Sequence, residues 1–324
     1  MEQAYIGIDV AKDSFVAATR VEGNLTTSLH NNDRKGISDL LKGLPDSCWC
    51  IMEATGVYSL QLAMALYEKG IKVSVVNPLQ IKRFAQTKLK RTKTDKVDTA
   101  LIAEYGERMQ PKLYEPPAPF MRKLQQQRMS LKLLVKSKRS FLNQLHALTQ
   151  LDKADKAAVK ACKTVLASIE KQIVDLERQM QQTAEENCQE LFTFLQTIPC
   201  ISKKSAIELL VVSGGFRSFT SARQFSAFIG ISPCINESGT SIRGYRGISR
   251  IGDKNIRATL YMCAMAAKVY NKACRELYER MVTAGKAKKV ALVAVMNKLI
   301  KQVFGKVRSG EVYSAECQAQ QLKK

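Results

Sequence analysis

The sequence predicts an α/β domain at the N-terminus followed by a helical remainder. Three observations predict it. Short apolar runs separated by turn residues fill roughly the first hundred positions, prolines punctuate residues 111–119, and helical periodicity takes over beyond them. At 324 residues the chain exceeds one compact core, so it is divided into segments 1–112, 118–183 and 186–312.

Taken in order, residues 4–10, 13–21 and 24–30 read as three consecutive strands, with short turns at Ala11-Lys12 and Glu22-Gly23-Asn24. Residues 33–43 are expected to be helical, 48–53 a buried strand, and 58–69 a helix ending at Gly70. A last strand, 71–76, stops at Asn77-Pro78. A three-strand meander followed by helix–strand–helix–strand is the order of an RNase H-like domain. Pro111, Pro116, Pro117 and Pro119 mark the linker.

Two long helices are expected next. In residues 156–183, Val159, Cys162, Leu166, Ile169, Ile173, Leu176 and Met180 recur in alternating steps of three and four, an unbroken heptad seam. In residues 119–148 the seam runs through Leu124, Leu131, Leu134, Phe141, Leu145 and Leu148, with Lys138 interrupting. An internal hairpin and an inter-subunit coiled coil would both bury these seams. Short helices follow at 186–197, 202–212, 220–230, 254–270 and 286–306. Between the helices at 220–230 and 254–270 lies a Gly-rich segment, 232–253, with Arg243, Arg246 and Arg250 interleaved. Glycine permits close backbone approach and arginine clamps phosphate bidentately, so a phosphate-handling loop is expected there.

The net charge of +22 is concentrated in two blocks. Residues 79–140 carry 16 basic against 5 acidic groups, and residues 241–310 carry 16 against 3. Clustered Lys and Arg point to a polyanion, because phosphate contacts release counterions and dominate affinity. A solvated surface or an anionic membrane is the plainer alternative. The apolar runs are too short to span a membrane, and no charged-then-apolar leader is visible. Nine cysteines without a C-x-x-C pair, and two histidines, argue for reduced thiols in a cytosolic protein and against zinc.

Four carboxylates carry the chemical signal. Asp9 sits in the apolar run Tyr5-Ile6-Gly7-Ile8-Asp9-Val10, and Glu53 closes Cys48-Trp49-Cys50-Ile51-Met52-Glu53. Asp95 and Asp98 lie three residues apart, on one helix face. Burying acids in apolar strands is costly unless a cation binds. Two unit charges about 4 Å apart repel by roughly 4 kcal/mol at an effective dielectric near 20. Hard divalent ions would offset this, and a pair of them could clamp the attacking and leaving oxygens of a phosphate. Lys88, Lys90, Arg91, Lys93 and Lys96 surround Asp95 and Asp98 and would draw nucleic acid to that edge. Singly, Glu53 reads as a strand-end carboxylate and Asp95 as an N-cap. Ser238 has no His–Asp partner in view, so a hydrolase triad is improbable; beside Arg243, Arg246 and Arg250 it could attack a phosphodiester with cationic stabilisation. Alone it reads as a turn serine, with Thr240 and Ser241 as rival hydroxyls.

Several segments together resemble one family, the DEDD-motif insertion-sequence transposases (the IS-one-ten family). They are Tyr5 to Asp9, Glu53-Ala54-Thr55-Gly56 with Tyr58, Val75 to Pro78, Lys93 to Asp98, Ala227 to Pro233, Glu237-Ser238-Gly239, Arg243-Gly244 and Leu260-Tyr261-Met262. The resemblance covers nearly the whole chain in order. It implies a RuvC-like (RNase H-fold) domain, a coiled-coil segment and a C-terminal transposase domain with a catalytic serine. It further implies that Asp9, Glu53, Asp95 and Asp98 bind Mg²⁺, with Mn²⁺ as a substitute. Ser238 would form a covalent phosphoserine–DNA intermediate. A structured guide (bridge) RNA pairing with donor and target DNA, a dimer assembling to a tetramer, and a cytoplasmic, nucleoid-associated location are implied as well. One departure stands at Ile198-Pro199-Cys200-Ile201-Ser202, where the family often has Ile-Pro-Gly-Ile-Gly.

The alternatives are a site-specific DNA invertase, a metal-dependent junction-resolving nuclease that needs no Ser238, and a non-enzymatic nucleic-acid scaffold.

Overall fold

The computed structural model describes residues 3–21, 24–88, 94–238, 242–249 and 251–309. The chain divides into two compact units, Met1–Pro116 and Pro117–Lys324.

The first unit runs β1 (Ala4–Val10), β2 (Ser14–Val21), β3 (Asn24–Asn31), α1 (Arg34–Gly43), β4 (Cys48–Glu53), α2 (Val57–Glu68), β5 (Lys72–Val76), α3 (Pro78–Thr87) and α4 (Asp95–Met109). Its five-stranded sheet has the order β3-β2-β1-β4-β5. The meander β1-β2-β3 is antiparallel, whereas β4 pairs in parallel with both β1 and β5. Strand alternation explains the two faces. Ile6, Ile8 and Val10 point with Cys50 and Met52 into a core shared with Leu40, Leu62 and Leu66. On the opposite face Ile51 packs with Leu101, Ile102 and Tyr105 of α4.

Two glycines set how closely α4 lies on the sheet. A Cβ on Gly7 would collide with the Thr99 carbonyl and the Ala103 amide, and a Cβ on Gly106 would collide with the Ile51 side chain. Backbone therefore meets backbone where β1 crosses under the second turn of α4. The chain after α4 is tied down by Ser74, whose hydroxyl lies 3.1 and 2.9 Å from the carbonyls of Pro111 and Lys112 and accepts from Trp49 Nε1 (3.0 Å).

The second unit begins with α5 (Pro119–Thr149) and α6 (Lys156–Gln196), which pack as an antiparallel hairpin. Gln127 faces Gln179 (3.5 Å), and Lys138, the residue that interrupts the seam, pairs with Glu170 across it at 2.8 Å. The internal hairpin is thus formed. The helices expected at 156–183 and 186–197 are one helix broken at Cys188, where φ is −151° and ψ 42°.

There follow α7 (Lys203–Ser213), α8 (Ala222–Ile229), β6 (Pro233–Ser238), β7 (Ile242–Ile248), α9 (Lys254–Tyr270), α10 (Lys272–Thr283) and α11 (Lys288–Ser309). The core is aromatic and aliphatic, with Phe216, Phe225 and Phe304 in ring contact. Two corrections arise here. The segment expected as a loop over 232–253 forms an antiparallel hairpin, β6–β7, because its Ile and Tyr residues supply enough strand character between the glycines. The helix α10 was not anticipated. Asn271 starts it: the buried amide accepts from the Cys274 backbone (3.3 Å) and donates to Gln302 (3.0 Å).

At the departure from the family pattern, Cys200 adopts φ +75°, a conformation that favours glycine, and Ser202 caps α7 by accepting from the Ser205 amide (3.3 Å). Seven described cysteines are free thiols, and burial pushes Cys274 up to about 12. Among the described residues no helix is long and apolar enough to cross a membrane.

Candidate functional site

The acidic residues are placed by three elements of the first unit. β1 and β4 run parallel with Ile8 opposite Met52, so Asp9 and Glu53 are the next residues of the two strands and lie at the same end of the sheet. Both fall on the face that α4 covers, since they alternate with Ile8 and Met52 of the other core. Asp98 immediately precedes Thr99, whose carbonyl sits against Gly7. Asp98 is thus one residue from the point where α4 touches β1. Asp95 is the first residue of that helix; Thr94, not Asp95, is its N-cap, accepting from the Val97 amide at 3.3 Å.

Asp9, Glu53 and Asp98 are each partly buried. Among the described residues, no three His, Cys, Asp or Glu side chains are near enough to hold a metal ion together. The Asp95 side chain lies outside the described residues. All four candidate donors are carboxylates, the oxygen chemistry that suits a hard divalent cation.

The basic residues expected around this edge divide. Lys90, Arg91 and Lys93 lie outside the described residues, and Lys96 is exposed on the first turn of α4. Lys88 pairs with Glu104 of α4 at 2.6 Å and lies over the Phe84 ring. Arg108 (2.9 Å) and Arg20 (3.9 Å) join the same carboxylate. The hydrogen bond from Lys88 leads in holding the Glu104 carboxyl below its ordinary range, against burial. Lys88 is thus the strap that ties the end of α3 to α4, and the segment leading to Asp95 starts from it.

In the second unit Ser238 is the last residue of β6, opposite Ile242, and Glu237 stands opposite Arg243. Arg246 is also on β7; the side chains of Ser238, Arg243 and Arg246, and the whole of Arg250, Thr240 and Ser241, lie outside the described residues.

Sequence reasoning missed an ionic cluster at the base of this hairpin. Arg128 of α5 pairs with both carboxylate oxygens of Glu208 on α7 and, at 2.7 Å, with Asp253, the N-cap of α9; Lys132 reaches Asp253 at 3.1 Å. Burial opposes charge on Asp253. The Arg128 hydrogen bond, the Asn255 amide and Lys132 outweigh it, and hold the carboxyl well below the usual range. The partners of Asp253 lie 125 and 121 residues away in sequence.

Comparison with known proteins adds the identity of the whole. Residues 6–153 match the DEDD transposase family of IS110 elements, and residues 193–279 match the Transposase IS116/IS110/IS902 family. The chain is 30% identical to the pilin gene-inverting protein of Moraxella lacunata over 97% of this chain and 98% of that one. The pilin gene-inverting protein of Moraxella bovis is similar to the same extent. The transposase for insertion sequence element IS1111A of Coxiella burnetii is 24% identical over 95% of this chain and 90% of its own length. With both family regions in sequence order and full-length similarity to recombination proteins, this chain belongs to the IS110 family of transposases, enzymes that act on DNA.

Proposed function

We propose that this protein cuts and rejoins DNA through a covalent phosphoserine intermediate on Ser238. The acidic residues Asp9, Glu53, Asp95 and Asp98 would serve the same exchange. The observation that carries this reading is the parallel register that ends β1 and β4 side by side at Asp9 and Glu53, with Asp98 one residue from the contact of α4 on Gly7. The sheet order with acids at the ends of two adjacent parallel strands supports an RNase H-like (RuvC-like) assignment for residues 1–112. Residues 118–183 would be the coiled-coil segment and 186–312 the transposase domain. A divalent cation, Mg²⁺ or Mn²⁺, held by those carboxylates would polarise a phosphodiester oxygen and offset the local negative charge.

In the serine step, Ser238 Oγ attacks phosphorus. The Oγ–P bond forms, one deoxyribose oxygen leaves, and that oxygen takes up the proton the serine gives up. Return attack by the hydroxyl of another strand restores a phosphodiester and the free serine. The number of phosphodiesters is conserved, so no nucleotide cofactor is needed. Arg243, Arg246 and Arg250 would stabilise the charged transition state. The two basic blocks fit DNA and equally a guide RNA pairing with donor and target. Exposed Met129 and Leu133, one turn apart on α5, would contribute to a subunit-association face for a dimer or tetramer.

A second reading is inversion of a fixed DNA segment, favoured by the full-length similarity to the two Moraxella pilin gene-inverting proteins. The chemistry is the same and only the arrangement of sites differs. The test is a denaturing gel of end-labelled DNA incubated with protein, Mg²⁺ and the RNA encoded next to the gene. Label that stays with the protein and disappears in Ser238→Ala supports the serine mechanism. Cleavage without any adduct moves the chemistry to the carboxylates alone.

A further inference from the structure

The hairpin that carries Ser238 leaves the helical body by two legs, and one guanidinium holds both. Arg257, in the first turn of α9, donates from Nη1 to the carbonyl of Ile229 on the incoming leg (2.9 Å) and to that of Ile251 on the outgoing leg (3.4 Å). The legs also touch each other directly. Gly230 has φ +80° and Gly252 φ +113°. A Cβ on Gly230 would collide with the Ile251 carbonyl, and one on Gly252 with the carbonyls of Phe228 and Ile229.

Asp253, the next residue, has two separate tasks. One carboxylate oxygen caps α9 by accepting from the Asn255 amide (2.8 Å), and the other takes Arg128 and Lys132 from α5. The Arg128 and Glu208 side chains are only 13% and 16% exposed, so solvent screens this cluster little. A two-stranded hairpin is marginal on its own. Its direction must therefore come from its base.

We propose that Arg257 and Asp253 are positioning residues for strand exchange, fixing the legs of the hairpin so that Ser238 is presented to the phosphodiester in one orientation. The proposal rests on Ser238 being the nucleophile. A misplacement of about 1 Å can cost on the order of 10²-fold in rate. Neither residue needs to touch DNA for this.

Asp253→Asn isolates the tether, because asparagine keeps the cap and the size while losing the charge that Arg128 and Lys132 hold. Arg257→Met removes the bracket across the legs, and Arg257→Lys restores a donor for both carbonyls. Three quantities are measured on the full chain: single-turnover adduct formation, affinity for the same DNA, and amide hydrogen exchange across β6–β7 and α9. The expected result is an adduct rate about 10- to 100-fold lower in Asp253→Asn and Arg257→Met, with affinity within about twofold. Exchange should quicken in β6–β7 and stay unchanged in α9, and Arg257→Lys should recover part of the rate. Unchanged rates, or unchanged exchange in the hairpin, overturn the positioning role. So does a rate loss matched by an equal loss of affinity. Ser238→Ala is run alongside. Adduct surviving in it overturns the serine assignment beneath the proposal, whereas adduct lost there but intact in the other two variants overturns the positioning role alone.

Discussion

Asp9, Glu53 and the first turn of α4 stand on a sheet roofed by a helix, whereas Ser238 stands at the end of a two-stranded hairpin held at its base. In the first case position comes from backbone: strand register aligns Asp9 with Glu53, and two glycines let α4 settle onto β1 and β4. In the second it comes from side chains, Arg257 across the legs and Asp253 tied to Arg128. The placement of a backbone-built site is insensitive to charge and pH and intolerant of added volume. A tethered one has the opposite sensitivities.

The largest effect expected on the first region is chemical. Asp9→Asn, or chelation of divalent metal, should slow strand cleavage by on the order of 10³-fold, equivalent to several kcal/mol of transition-state stabilisation. DNA affinity should hold, and an unchanged cleavage rate in Asp9→Asn would dismiss the metal assignment. Next comes packing. Gly7→Ala should destabilise the first unit by about 3 kcal/mol, since the methyl group meets backbone that cannot move aside. Denaturant unfolding with Trp49 fluorescence would register it, and a shift below about 0.5 kcal/mol would refute the close seating of α4.

Arg128→Met should cost roughly 3 kcal/mol in the second unit, because it removes the guanidinium from Glu208 and leaves Asp253 with Lys132 as its remaining cation. The pH dependence of the same tether has a definite sign. The Asp253 carboxyl is held below its unfolded value, so its contribution is fully present above about pH 4 and is lost as pH falls through the folded value. The stability difference between wild type and Asp253→Asn should therefore stay level from pH 8 to about 5 and close only in stronger acid. Closure near neutrality would contradict the tether.

Smaller still, Lys90, Arg91 and Lys93 changed to Gln should each flatten the salt dependence of DNA binding by about one phosphate contact, while Lys88→Gln should leave the slope alone because Glu104 already holds it. Cys200→Gly should stabilise by about 0.5 kcal/mol, relief of the left-handed conformation being partly offset by the freedom glycine gains when unfolded.

Much of the first unit was legible because local and tertiary signals agree there. The runs around Ile6 and Ile51 are apolar strands bounded by turn residues, and the Asp95–Asp98 spacing places both on a helix. The second unit was legible in its long seams, where even the break at Lys138 marked a real event, the ion pair with Glu170. The β6–β7 hairpin was read as a loop because Gly244, Gly247 and the arginines mask the strand character of Ile235, Ile242, Tyr245 and Ile248. The pairing of Lys88 was not legible because sequence proximity to Asp95 said nothing of Glu104 one helix later. The Arg128–Glu208–Asp253 cluster joins three distant helices, and only tertiary packing could reveal it.

The crossing of the two legs at Gly230 and Gly252 has a consequence for how such enzymes diversify. Chain enters and leaves the hairpin through a single pinched gate, so everything between Ile231 and Ile251 is a cassette with adjacent ends. Relatives could exchange that stretch wholesale, altering tip length or arginine count, without repacking the helical core. Chimaeras spliced just inside Ile231 and Ile251 would exchange the hairpin while leaving Ile231 in the core, where its carbonyl accepts from Asn297.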